Sequence, residues 1–257
     1  AKIFFLLLFL HWNNSNGNII IVNMQNFPSS AEEFLIGQIF PVNKPLGWSS
    51  FNVVKKVRYL IQKKYNLKKI KVGHAGTLDP LATGLLIICT GKFTKKISQI
   101  QSQEKTYSGI IKLGSTTPSY DLETTINKNY ETSHITNKLI HETKKKFIGE
   151  IDQKPPIFSA LKKDGERLYK KARRGDDIKI ESRKVFVRSF EIISVENLNI
   201  HFEIKCNKGT YIRSIANDFG IALNSGGHLT KLCRTSIGNY KSSEGIHLEN
   251  FELLLNN

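Results

Sequence analysis

The sequence predicts a mixed α/β chain, and three observations carry that expectation. Leu85-Leu86-Ile87-Ile88-Cys89 is an unbroken apolar run bounded by Gly84 and Gly91, the pattern of a buried strand. Val53, Val54, Val57, Leu60 and Ile61 recur at helical spacing, with Ser50 placed to cap the helix. Phe186 to Phe190 and His201 to Cys206 alternate apolar and polar residues, as half-buried strands do. The remaining elements follow in order. Ser30-Ala31-Glu32-Glu33 ahead of Phe34 has the form of a capping box and opens a short helix. Thr106 to Gly114 reads as a strand with Tyr107 near its start. Ile135 to Phe147 reads as a helix, with Lys144, Lys145 and Lys146 where the macrodipole favours cations. After Lys208-Gly209-Thr210 the chain passes into a helix carrying Ile215, Ala216, Phe219 and Leu223.

At 257 residues, 40% of them hydrophobic, the chain can bury a sizeable core. Its charge is less ordinary: 38 Lys+Arg against 22 Asp+Glu give +16, which predicts a polyanionic partner, most commonly nucleic acid. A generally basic composition rich in Lys, Asn and Ile would give the same total, so the distribution of charge decides. Phe51 to His74 contains no acid, and Lys55, Lys56, Arg58, Lys63 and Lys64 lie on the polar face of its helix, which favours a phosphate-facing surface. Residues 154–184 hold eleven Lys+Arg against five acids, with Phe158 and Tyr169 interleaved. That stretch reads as a helix-containing excursion from the core, and Lys162, Lys163, Arg167, Lys170, Lys171, Arg173 and Arg174 suit a clamp on a phosphate backbone.

The three cysteines are widely spaced and form neither a disulfide framework nor a metal motif, so a reducing cytoplasm is expected. The seven histidines show no metal-ligand spacing, and no metal is expected. Ile3 to Leu10 is far too short to span a membrane, and no signal-peptide cleavage pattern follows it. Met24 is the one methionine, so translation is expected to start there, with residues 1–23 an upstream extension.

The most informative segment is GHAGTLDPLATGLLIICTG, residues 73–91, which contains a single acid, Asp79. Gly73 and Gly76 permit positive φ or close approach to a ligand, and Pro80 biases Asp79 towards extended geometry. A carboxylate so constrained, with His74 and Thr77 beside it, is a candidate catalytic or binding group, a structural Asx-turn being the plain alternative. Tyr211 and Arg213 are two apart and on a strand would share a face, an aromatic platform with a cation ready for a carboxylate. Gly91-Lys92 lacks the glycine spacing and the following Ser or Thr of a phosphate-binding loop, which excludes an NTPase on that motif.

Taken in order, NKPLGWSS (43–50), GHAGTLDPLATGLL (73–86), KTYSGIIKLG (105–114), PPIFSALKKDGERLYKKARRG (155–175), KGTYIRSIANDFG (208–220) and GGHLTKLCRTSIG (226–238) resemble the bacterial tRNA pseudouridine-55 synthases of TruB type. The resemblance implies an α/β fold of α+β type, with a central, mixed, largely antiparallel sheet flanked by helices and an inserted RNA clamp at about 154–184. It implies isomerisation of one T-loop uridine of tRNA without cofactor or metal. Carried over, Asp79 matches the catalytic aspartate, Tyr107 the aromatic that stacks on the target base, and Arg213 the arginine that pairs with the aspartate. Tyr211 matches the tyrosine beside that arginine, His74 the histidine that helps accommodate the flipped nucleotide, and Leu232 an apolar wall of the pocket. Lys44 matches a motif lysine with a supporting part. Residues 115–121 depart from the family's pattern, although Asp121 survives, and no C-terminal PUA domain fits before Asn257. A single catalytic domain over 24–257, acting as a monomer with no obligate protein partner, is therefore expected.

The chemistry suits one acid. A glycosidic bond must break and re-form through C5, so the nucleotide must leave its stack, at a cost of a few kcal/mol. Ionised Asp79 would attack C1′ or remove a C2′ proton, and Arg213 would favour the ionised state. Glycoside hydrolases normally need two carboxylates, and none besides Asp79 lies in the matched motifs around it. Charge alone would also allow a non-catalytic RNA-binding or tRNA-folding module, or action on another RNA.

Overall fold

The structure, a computed structural model, describes residues 27–176 and 178–256. The expected start at Met24 and the extension 1–23 lie outside the described residues. Ten strands form one sheet: β1 (Ile39–Lys44), β2 (Val72–His74), β3 (Ala82–Thr90), β4 (Lys105–Leu113), β5 (Gly149–Gln153), β6 (Arg183–Glu196), β7 (Asn199–Cys206), β8 (Gly227–Ile237), β9 (Tyr240–Lys241) and β10 (Ile246–His247). The path across it is β10-β1-β3-β8-β4-β7-β6-β5, with β2 added to β3 and β9 to β8. Only β1/β10 and β3/β8 pair in parallel, so the sheet is mixed and largely antiparallel, as expected. The helices are α1 (Ala31–Ile36), α2 (Ser50–Tyr65), α3 (Ile97–Ser102), α4 (Asn137–Lys144), α5 (Leu168–Arg174), α6 (Ile212–Ala222) and α7 (Leu248–Asn256).

The unbroken apolar run of β3 has a physical reason: the strand is covered on both faces. Leu86 and Ile88 pack with Val53 and Val57 of α2 and Phe251 of α7, whereas Leu85, Ile87 and Cys89 pack with Ile39, Ile100 and Ile237. A further cluster joins Ile215 and Phe219 of α6 and Ile140 of α4 to Ile111, Phe190 and Phe202 of the sheet. Cys89 and Cys206 are buried as expected, and burial pushes both thiols up to about 12, which keeps them inert.

The capping box at α1 forms, with Ser30 and Glu33 bonded reciprocally. The cap of α2 is corrected: Ser49, in extended geometry, accepts from Asn52 N at 3.1 Å, while Ser50 is already helical. Ser50 is instead buried, and its hydroxyl bonds Leu78 N at 2.8 Å and Leu78 O at 3.1 Å. The expected cationic face of α2 is also reduced. Lys56 pairs with Glu252 at 2.8 Å and Arg58 donates to Val72 O at 3.0 Å, leaving Lys55, Lys63 and Lys64 exposed. Between β5 and β6 the chain forms a small hairpin (Lys162–Lys163 with Glu166–Arg167) followed by α5, and the last two residues of the 154–184 stretch, Arg183 and Lys184, already belong to β6.

Strands β3 and β8 approach closely at Gly84, whose φ is +93°. A Cβ there would lie 2.4 Å from Arg234 O, so no other residue fits without moving β8. Gly84→Ala is expected to cost at least ~1–3 kcal/mol from backbone strain alone, read as a lower urea midpoint; an unchanged midpoint would contradict this packing.

Candidate active site

Asp79 sits in the loop joining β2 to β3, and almost every neighbouring peptide is fastened. Leu78 is held on both sides by the Ser50 hydroxyl. Pro80 O accepts from Gly47 N at 2.9 Å and from Lys44 Nζ at 3.2 Å, and Gly76 O accepts from Arg234 Nη2 at 2.9 Å. Gly76 uses the positive φ anticipated for it, +108°, whereas Gly73 does not and is instead pressed against Ile97, 2.7 Å from a Cβ it lacks.

Arg213 comes from the first turn of α6, with Tyr211 as the residue preceding that helix. The strand geometry expected for this pair is therefore corrected: α6 begins at Ile212, and the two side chains diverge in role. Arg213 is 2% exposed and reaches Asp79 with two nitrogens. Its Nη2 donates to Oδ1 at 3.0 Å, and its Nε lies 2.9 Å from Oδ2 but off the line a hydrogen bond requires. The guanidinium also donates to Ser119 O at 3.1 Å and Phe158 O at 2.9 Å. Asp121 brings its Oδ2 to 3.7 Å from Arg213 Nε. A second carboxylate thus stands behind the arginine, supplied by the stretch that departs from the family pattern and so not visible in the matched motifs.

These groups line a cleft of about 370 Å³ with Asp79, Tyr107, Tyr211, Arg213 and Leu232 in its walls, large enough for a small ligand. Tyr107 on β4 and Leu232 on β8 arrive there by register, since β4 pairs with β8 across the sheet centre. Of the clamp residues, Arg167 also lines the cleft. Lys44 lies beneath the Asp79 loop, 1% exposed, with Nζ donating to Pro45, Trp48 and Pro80 carbonyls. His74 is on β2, outside the cleft lining, with a buried Nδ1 that has no partner. The clamp cations are mostly engaged: Lys171 with Asp164, Arg173 with Glu123, Arg174 with Glu166 and Asp176, Lys163 with Lys179 O, and Arg167 with Ala160 O. Lys162 on the hairpin and Lys170 on α5 are exposed.

Four residues of the site were not singled out from the sequence. Arg234, 1% exposed, ties Leu85 O to Gly76 O and faces Tyr107. Lys105 is buried at the cleft edge, donating to Gln101 and Gln103 carbonyls. Gln153, fully buried, grips the Tyr211 backbone with both ends of its amide, 2.7 Å to N and 3.0 Å to O. Arg183 lies over the Tyr211 ring at 5.2 Å, so the cation on that platform is Arg183 and not Arg213. The alternation of β8 puts Arg234 on the same side as Leu232, a signal that was present in the sequence.

Burial is the leading electrostatic influence. It pushes the Asp79 carboxyl above the usual carboxylate range, Arg213 opposes it, and Asp121 and Glu123 add to the rise. Burial likewise lowers Lys44 and Lys105 to about 8 each, and raises the Tyr107 hydroxyl. His74 is lowered by burial and by Arg234, which favours a neutral ring. Among the described residues no three His, Cys, Asp or Glu side chains converge as a metal site, and no helix is long and apolar enough to cross a membrane.

An arginine-gripped aspartate at the floor of a cleft, in a mixed sheet with a basic insertion, defines a class that comparison with known proteins identifies. Residues 62–212 match the TruB family pseudouridylate synthase N-terminal domain. The chain is 60% identical over 224 residues to tRNA pseudouridine synthase B of Flavobacterium johnsoniae, covering 87% of this chain and 98% of that protein. It is 49% identical over 218 residues to tRNA pseudouridine synthase B of Phocaeicola vulgatus, covering 85% and 93% respectively. Among solved structures, a chain of a Cbf5-Nop10-Gar1 complex superposes with a TM-score of 0.63 at 27% identity, over 93% of this chain and 59% of that one. The chain belongs to the TruB family of pseudouridylate synthases.

The charge balance around Asp79 can be read directly. Its carboxyl is expected to titrate above the ordinary aspartate range in a ¹³C-carboxyl NMR titration. Asp121→Asn removes an anion and moves the midpoint to lower pH, while Arg213→Lys weakens the cation contact and moves it higher. A midpoint that neither substitution shifts would contradict the coupling.

Proposed function

We propose that this protein, a cytoplasmic monomer working without cofactor, converts uridine 55 in the T-loop of tRNA to pseudouridine. The observation that carries the reading is the Arg213–Asp79 contact, 2.9–3.0 Å, set at the cleft floor with Tyr107 in the wall. The names of the relatives favour tRNA over another RNA, and the +16 charge fits a polyanionic substrate.

The residues divide the work. The target nucleotide leaves the T-loop stack, and Tyr107 stacks on its base, returning about 1–3 kcal/mol of the unstacking cost. Leu232 closes the apolar side, so the detached uracil turns without escaping. Asp79 acts ionised, either bonding to C1′ or taking the C2′ proton, and the N1–C1′ bond breaks with its electron pair leaving on the uracil. The base rotates and C5 bonds to C1′, displacing the Asp79 carboxylate on the first route or, on the second, as C2′ takes its proton back from Asp79. The C5 proton is lost and N1 gains one, so the product is an isomer and Asp79 ends as it began. Arg213 keeps the carboxylate ionised and aimed; because burial raises the Asp79 pKa, activity falls as pH drops through that raised value.

The clamp residues Lys162, Lys163, Arg167, Lys170, Lys171, Arg173 and Arg174 grip phosphates of the T-stem. Three of them, Lys171, Arg173 and Arg174, now face carboxylates, but exposed pairs are worth about 0–1 kcal/mol, so exchanging a carboxylate for a phosphate costs little. Lys44 serves from below, as a loop support, and His74 from beside the cleft. A tRNA-binding module without chemistry would have no use for a half-buried aspartate gripped by a buried arginine in the groove.

Mass-spectrometric nucleoside mapping of tRNA treated with the purified protein is expected to show one new pseudouridine, at position 55; unmodified tRNA would refute the reading. Asp79→Asn should lower turnover by ~10⁴-fold or more, the scale seen when an essential group is removed, with tRNA affinity within about threefold of the parent. Tyr107→Leu should retain the fold and lose roughly 5- to 150-fold in turnover, the equivalent of one base stack.

A further inference from the structure

Arg183 opens β6, where the chain between β5 and β6 returns to the sheet, and lines the cleft, half-buried. Its guanidinium is parked on the Tyr211 ring and donates through Nη2 to Gly209 O. Nε is buried and has no hydrogen-bond partner, and among the described residues Arg183 forms no ion pair. The next residue, Lys184, behaves as surface cations usually do and pairs with Glu150 at 2.6 Å. An arginine pre-set by a ring and a carbonyl, yet facing a cleft with donors unspent, is built for an anion that arrives from outside. Lys208 lines the same cleft one residue from Gly209.

The chemistry of the substrate supplies that anion. An everted nucleotide remains tied to its strand by two phosphodiesters, so when its base enters the cleft and its ribose meets Asp79, the phosphates come to lie at the mouth. Asp79, on the floor, is already matched by Arg213 and offers them no competitor. We propose that Arg183, assisted by Lys208, binds the backbone phosphodiester flanking the everted nucleotide, an inference that rests on the reading of the cleft as a uridine site in tRNA. The stack on Tyr211 then has a second use. It couples seating of the phosphate to the residue that Gln153 fixes at the start of α6, two positions before Arg213.

The rival role for Arg183 is a prop for the Tyr211 ring, which would alter turnover but not the count of phosphate contacts. Salt dependence separates the two. Equilibrium tRNA binding is measured for the unaltered protein, Arg183→Gln, Arg183→Lys and, as a control, Lys184→Ala, between about 50 and 200 mM salt. Arg183→Gln is expected to bind about tenfold or more weakly and to reduce the slope of log K against log salt by about 0.7–0.9, the loss of one phosphate contact. Arg183→Lys keeps the charge and the slope but loses affinity with the planar fork, and Lys184→Ala leaves both unchanged. Slowed turnover in Arg183→Gln with unaltered affinity and slope would overturn the proposal in favour of the prop. Should Arg183→Gln not fold, Arg183→Lys binding as tightly as the unaltered protein would overturn it equally. Absence of salt-dependent tRNA binding by the unaltered protein would overturn the functional reading itself, and this inference with it.

Discussion

A guanidinium buried to 2% exposure needs its charge countered and its donors engaged, and the partners that Arg213 gathers through Nη1, Nη2 and its charge organise the centre of this protein. It draws the Asp79 loop, Ser119 and Asp121 from the turn after β4, and Phe158 from the root of the clamp onto one cation. Ser214, the next residue, donates to Lys154 O at 2.7 Å, and Gln153 fastens Tyr211, so the base of the clamp and the start of α6 are bonded along their lengths. The segment between β5 and β6 is therefore rooted on the same turn that aims the aspartate.

The Asp79 loop is held independently from below. Lys44, Ser50 and Arg234 each spend a buried polar group on a backbone atom within three residues of Asp79. Buried cations of this kind are costly unless fully bonded, and here they trade that cost for a carboxylate with little freedom to turn away. Its desolvation is the corollary: the same enclosure that would keep a cut-loose uracil in place lifts the Asp79 pKa, and Arg213 is the counterweight.

Much of the fold could be read along the chain because the periods are clean. The doubly covered β3, the alternating β6 and β7, and the capping box of α1 form where the pattern puts them. Asp79 and Arg213 stand out along the chain and the resemblance adds Tyr107 and Leu232; the structure brings all four to one cleft. What escaped depends on partners distant in sequence. Ser50 reads as the cap from its place before the apolar run, but Leu78 claims its hydroxyl and Ser49 caps the helix instead. Arg234 meets Tyr107 only because β8 lies beside β4 in a given register, and Arg183 meets Tyr211 only because the insertion closes next to α6. The helical start at Ile212 likewise turned an expected strand pair into two residues with separate tasks.

The central claim is that Asp79, steered by Arg213, reaches the ribose of an everted uridine. A crystal structure of the Asp79→Asn protein with a T-arm stem-loop tests it most directly. The account predicts the uridine out of its stack, its ring on Tyr107, and ribose C1′ or C2′ about 3–3.5 Å from the side chain at position 79, the distance of a near-attack geometry. A target nucleotide still stacked in the loop, or a ribose held against another wall of the cleft, would contradict it.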